Sequence, residues 1–159
     1  MLEISFYHLK GSSVDDALPM LLEKSLARGW SVVVQMTTLQ RMTRLDDHLW
    51  SYKAEAFLPH GVKADGEPET QPIYLTCEAD NPNEADARFF LERARIAPVL
   101  AGDSAPGERA ALMFDGENEA ELEDARAQWK ELRDAGHTLV YYQQKDAGGW
   151  EVKAREPKN

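Results

Sequence analysis

The stretch WSVVVQM, residues 30–36, decides the fold. Three consecutive valines leave no polar face. Such a strand is expected to be buried on both sides, as in a parallel sheet with helices above and below. Both flanks of it read as helices. Upstream, Leu18, Leu21, Leu22 and Leu26 recur at helical spacing and Gly29 ends the pattern. Asp15 or Asp16 is the expected cap. With Asp16 as cap, Pro19 falls in the first turn, where a missing N–H costs nothing. Downstream, Thr37 or Thr38 opens a second helix with Leu39, Met42, Leu45 and Leu49 facing in.

Further strands are expected at residues 2–9, 73–77, 87–91, 110–114 and 138–144. In the first of these, Leu2, Ile4 and Phe6 alternate with Glu3, Ser5 and Tyr7. Strand and helix alternate along the chain, which implies an α/β layer fold with a mostly parallel sheet. Residues 62–72 are polar and carry Gly and Pro, so they read as an exposed loop. Residues 92–108 mix an apolar IAPVLAG with a loop-like DSAPG and support no element. Gly148 and Gly149 break the last strand. One domain is expected over residues 1–153, with 154–159 as a frayed tail.

With 159 residues and 43% hydrophobic content, the chain can form one full core. No apolar run is long enough to span a membrane and no leader is evident, so a cytoplasmic protein is expected. The single Cys77 excludes an internal disulfide and a thiolate zinc site, and it ends an apolar run, so burial is expected for it. A net charge of −10 argues against direct contact with a nucleic-acid backbone but leaves room for a local basic patch.

Such a patch is visible in EAELEDARAQWKELRDAG, residues 119–136, the clearest helix in the sequence. At about 100° per residue, Leu122, Ala125 and Leu132 form an apolar stripe. Arg126, Lys130 and Arg133 fall together beside it, and Trp129 stands at the border. A solvated face is the plain reading of this stripe. The other is a landing site for an acidic partner that carries an aromatic side chain.

Tests for chemistry are negative. The turn HLKGSS has one Gly where a dinucleotide fingerprint needs three, and no Gly-Lys-Ser/Thr. His8, His48, His60 and His137 are isolated in sequence. Asp46 and Asp47 read as helix-surface charges, and no Ser stands in a G-x-S-x-G elbow. No catalytic residue, cofactor or metal is expected. Trp50 and Phe57, around LDDHLW and FLPHG, read equally as core or as an exposed aromatic pair that anchors a protein.

The chain carries, in this order, FYHL at Phe6, LARGW ending at Trp30, LDDHLW at Leu45, FLPHG at Phe57, QPIYLT at Gln71, MFDG at Met113, ARAQWK at Ala125 and AGHTLVYYQQ at Ala135. Together they resemble the chi subunits of bacterial DNA polymerase III holoenzyme, over nearly the whole chain. Residues 92–107 depart from that pattern. The resemblance implies a single three-layer, Rossmann-like α/β domain in a non-enzymatic accessory subunit. It implies two partners: the psi subunit, which leads to the clamp loader, and the acidic C-terminal tail of single-stranded DNA-binding protein. It assigns Arg126, Trp129 and Lys130 to the tail, with Arg133 beside them, and Trp50 and Phe57 to psi. The alternative is a small-molecule or nucleotide-binding enzyme on the same scaffold.

Overall fold

The structure, a computed structural model, describes residues 2–51 and 58–157. The elements run β1 (Glu3–Leu9), α1 (Val14–Ala27), β2 (Val32–Gln35), α2 (Leu39–Ser51), β3 (His60–Val62), β4 (Ile73–Thr76), β5 (Ala87–Leu91), α3 (Ala97–Leu100), β6 (Arg109–Asp115), α4 (Glu119–Asp134), β7 (Thr138–Gln144) and β8 (Trp150–Glu156). They build one eight-stranded sheet in the order β3-β4-β2-β5-β6-β1-β7-β8. Every neighbouring pair is parallel except β7 with β8.

The three valines behave as their run requires. Val32 and Val34 pack under α1 and α2 with Leu18, Leu22, Leu45 and Leu49. Val33 points to the opposite face, against Tyr74 and Ala85. That opposite face is covered further along by α3 and α4, where Ile96, Val99, Ala125 and Leu132 meet Ile4, Phe6, Leu112 and Phe114. Two helical layers therefore enclose the sheet, the three-layer α/β arrangement expected. No helix among the described residues is long and apolar enough to cross a membrane.

Several local expectations are corrected. Ser13, not Asp15 or Asp16, caps α1: its Oγ accepts the Asp16 N–H at 3.1 Å. Pro19 consequently lies in the helix interior, where it is buried. Thr38, one of the two expected candidates, does cap α2, accepting the Arg41 N–H at 3.1 Å. Leu39 does not face in; it is 69% exposed, and Arg41 is buried instead. Cys77 lies just past β4 and is only partly buried. The middle of the first strand has no solvated face, because helices cover both faces of the sheet there and bury Ser5 and Tyr7 as well as Ile4 and Phe6.

The tail expectation fails for a definable reason. Gly148 and Gly149, at φ of 92° and 81°, do not end the sheet but turn the chain back on itself. Lys145 N–H donates to the Gly149 carbonyl and Gly148 N–H to the Lys145 carbonyl, both at 3.0 Å. Residues through Glu156 then pair with β7 as β8. The unreadable segment before β6 holds the single turn α3. It is fixed from outside by Gln128 of α4, whose Nε2 donates to the Ala94 carbonyl at 3.0 Å while its Oε1 accepts the Ile96 N–H at 3.1 Å.

Candidate functional site

Helix α4 begins at Asn118, whose side chain accepts the Glu121 N–H at 3.1 Å, and closes before Gly136 at φ of 87°. Ala125, Gln128 and Leu132 are buried beneath it. One step round the helix, Trp129 is half in and half out. Its ring meets Phe6 edge-on at 5.2 Å between centroids and Tyr141 at 5.6 Å. Arg126, Lys130 and Arg133 are exposed beside it.

These four residues line one open groove of about 410 Å³, together with Tyr141, Lys153 and Ala154. The groove thus lies between α4 and the β7–β8 hairpin. Lys153 was not singled out from the sequence, and its placement depends on a bulge. Tyr141 pairs with Ala154, but Tyr142 pairs with Val152, so Lys153 is an extra residue in β8. Strict alternation would set residue 153 opposite Tyr142, on the α1 side of the sheet. The bulge turns it onto the α4 side instead. A bulge in an edge hairpin leaves no mark in the hydrophobic pattern, so no sequence signal pointed to this lysine.

The groove is cationic in a protein of net charge −10. Among the described residues, Arg126 and Lys130 have no ion-pair partner. Arg133 contacts Asp134 at 3.3 Å and Lys153 contacts Glu151 at 3.6 Å, both exposed pairs that hold their cations loosely. The groove floor is aromatic and neutral. The Tyr141 hydroxyl lies 2.7 Å from His8 Nδ1. Burial, then the charge of Arg126, pushes the His8 pKa below its usual value, and Asp115 opposes them only in part. Burial pushes the Tyr141 hydroxyl up, against Arg126. Gly116 of the MFDG stretch lies against the His8 imidazole so closely that a Cβ there would overlap the ring.

The second aromatic position is partly described. Trp50, at the end of α2, is 54% exposed and its ring lies 4.4 Å from that of His60. His60 is buried. Its Nδ1 lies 2.6 Å from the Leu58 carbonyl and its Nε2 lies 3.0 Å from Asp46 Oδ1. The Leu58 carbonyl is therefore what orients the imidazole on which Trp50 rests, and Asp46 lies close to it without a hydrogen bond. Phe57 lies outside the described residues.

At the turn after β1, where a nucleotide site was considered, two of the donors are already used. Lys10 N–H and the Ser12 hydroxyl both donate to Gln144 Oε1, at 3.0 and 2.9 Å.

The molecule is a mostly parallel α/β sheet with a cationic, aromatic-floored groove between α4 and the β7–β8 hairpin. The chain belongs to the family of DNA polymerase III chi subunits: the family model described as "DNA polymerase III chi subunit, HolC" matches residues 1–140. It is also similar to a probable DNA polymerase III subunit chi from Rickettsia prowazekii (strain Madrid E), at 34% identity over 100 residues. That alignment spans 63% of this chain and 61% of the relative.

Proposed function

We propose that the protein is a non-catalytic accessory subunit that bridges the clamp loader, through psi, to the acidic C-terminal tail of single-stranded DNA-binding protein. The observation that carries this reading is the convergence of Arg126, Lys130, Arg133 and Lys153 around Trp129 in one groove. A disordered acidic tail with an apolar end sets two physical demands. Its carboxylates need charge-assisted donors at contact distance, since diffuse repulsion from the rest of the protein is screened beyond about 8 Å at physiological salt. Its apolar end needs a wall to leave water against, and Trp129 with Tyr141 supplies one. Ordering the tail costs entropy, so an affinity on the order of micromolar is expected.

The psi surface is assigned to Trp50 and Phe57. In support, Trp50 is large, exposed and seated on a fixed imidazole, the setting of an interface anchor.

The test is a titration of labelled tail peptide against the protein and its Lys130→Glu variant at two salt concentrations. Binding is expected to weaken with salt and to vanish in Lys130→Glu, which removes an attraction and adds a repulsion. Unaltered binding by a folded Lys130→Glu protein refutes the assignment.

A further inference from the structure

On the opposite face of the sheet from the tail groove is a second place where cations gather without ion pairs among the described residues. A cavity of about 180 Å³ lies between the last turn of α1, the start of β6 and the β7–β8 hairpin. Lys24, Arg28 and Arg109 enter it, and Trp30, Tyr142 and Trp150 form much of its wall. Trp150 and Tyr142 each pack on Tyr7, at 5.0 and 5.1 Å between ring centroids, so the wall is rigid.

Two guanidinium groups share one indole there. The Arg28 carbon lies 4.8 Å from the Trp30 ring centroid and the Arg109 carbon 5.6 Å. Among the described residues, none of Lys24, Arg28 and Arg109 has an ion-pair partner. Arg109 Nε is buried with no hydrogen-bond partner among them. Two carboxylates stand at the edge of the site without pairing to these cations: Asp86 accepts the Ser31 N–H at 3.0 Å, and Glu3 is the register neighbour of Arg109 on β1 but makes no ion pair with it.

Lys24 and Arg28 alone have a plain explanation, since cations suit the C-terminal end of α1. Arg109 has none of that kind. It comes from β6, it brings a third positive charge to the same cavity, and like charges held together without an ion pair repel. An aromatic ring can hold a guanidinium in place but does not neutralise it.

We propose that this cavity is a binding site for a phosphate group, free or as the terminal phosphate of a small ester. Guanidinium forks match tetrahedral and planar oxyanions with paired hydrogen bonds, and an ammonium adds a point charge. Three cations suit a dianion better than a single carboxylate. The volume is below the roughly 300–1,000 Å³ of drug-sized ligand pockets, so the cavity takes the anionic head and leaves any larger body outside. The site is separate from the tail groove, because its wall belongs to the core under α1 and α2, while Trp129 and Tyr141 belong to the core under α4.

The experiment is an NMR titration of the tryptophan indole N–H signals with inorganic phosphate, with a nucleoside 5′-monophosphate and with acetate. Saturable movement of the Trp30 signal by phosphate or by the monophosphate is expected, and the stronger of the two says whether the phosphate is free or esterified. Arg109→Gln should weaken that binding by about tenfold or more. Arg28→Gln repeats the test should Arg109→Gln fail to fold. Lys130→Glu should leave it unchanged. The proposal is overturned if neither phosphate ligand saturates the signal, if acetate binds as well as phosphate, or if folded Arg109→Gln and Arg28→Gln proteins bind as the parent does.

Discussion

Trp129 stands edge-on to Phe6 with ring centroids 5.2 Å apart, so the aromatic wall of the groove is also the rim of the core. One side chain therefore serves two ends. Trp129→Ala should weaken tail binding and also lower stability. Full core truncations of this size cost about 3–5 kcal/mol, and a half-buried ring should lose about half of that. Trp129→Phe keeps the contact with Phe6 and should recover most of the stability but less of the binding. Urea unfolding alongside the peptide titration separates the two. Loss of stability with unchanged binding would make Trp129 a core residue only.

Lys153 gives a cleaner variant, because it is exposed and makes one loose ion pair. Lys153→Glu should leave unfolding unchanged and weaken tail binding by about 1 kcal/mol, the scale of an exposed charge contact counted once as lost and once as reversed. The loss should shrink at high salt. If Lys153→Glu binds the tail as the parent does at low salt, the groove ends at α4 and the hairpin is not part of it.

Trp50→Ala should separate the two proposed partners. With Trp50 54% exposed and its ring packed on His60, its truncation should cost no more than about 1–2 kcal/mol of stability. Loss of an interface anchor commonly costs about 2 kcal/mol or more, so psi binding should fall while tail binding holds. A large loss of stability in the isolated protein would mark Trp50 as part of the fold rather than of an interface.

The parts of this molecule that were legible in the sequence are those set by local pattern. The valine run placed β2 inside the sheet, and the wheel of α4 separated Trp129 and the three cations from Ala125 and Leu132. What was not legible depends on contacts remote in the chain. Strand β8 exists because two glycines reverse the chain onto β7, and Lys153 reaches the groove only through the bulge that follows. Segment 92–108 is ordered by Gln128, a polar residue on the buried stripe of α4, and Leu39 yields the inward position to Arg41. In both cases a polar side chain is buried because a distant partner satisfies it, which hydrophobic spacing cannot reveal.

Arg41 is the second such case and makes a stability prediction. From α2 it reaches Asp15 of α1 at 2.5 Å and Glu92, just past β5, at 3.0 Å. Burial pushes its pKa down, but the Asp15 hydrogen bond and the charges of Glu92 and Asp15 outweigh this, and the net shift is upward. Arg41→Ala leaves two carboxylates facing each other without their cation. Breaking a fully buried pair costs about 3–5 kcal/mol, and these carboxylates are partly exposed, so about 2–3 kcal/mol is expected. Denaturant unfolding gives the number. A cost well under about 1 kcal/mol would mean that water already screens the triad.

His8 links the groove to pH. Its folded pKa lies below the usual 6.5, first through burial and next through the charge of Arg126. The sign follows from proton counting. Above the unfolded pKa the imidazole is neutral in both states and contributes no slope. As pH falls through about 6.5, the unfolded chain takes up a proton that the folded chain resists, so stability declines until the folded pKa is crossed. Melting between about pH 7.5 and about pH 5.5 should therefore fall less in His8→Asn than in the parent. Arg126→Ala removes the second cause and should raise the His8 pKa, read directly from its imidazole resonances. A tail carboxylate bound at Arg126 should act in the same direction, so peptide binding should also raise the His8 pKa. An unmoved His8 resonance in both experiments would show that Arg126 and its ligand lie too far away or too well screened to act on the groove floor.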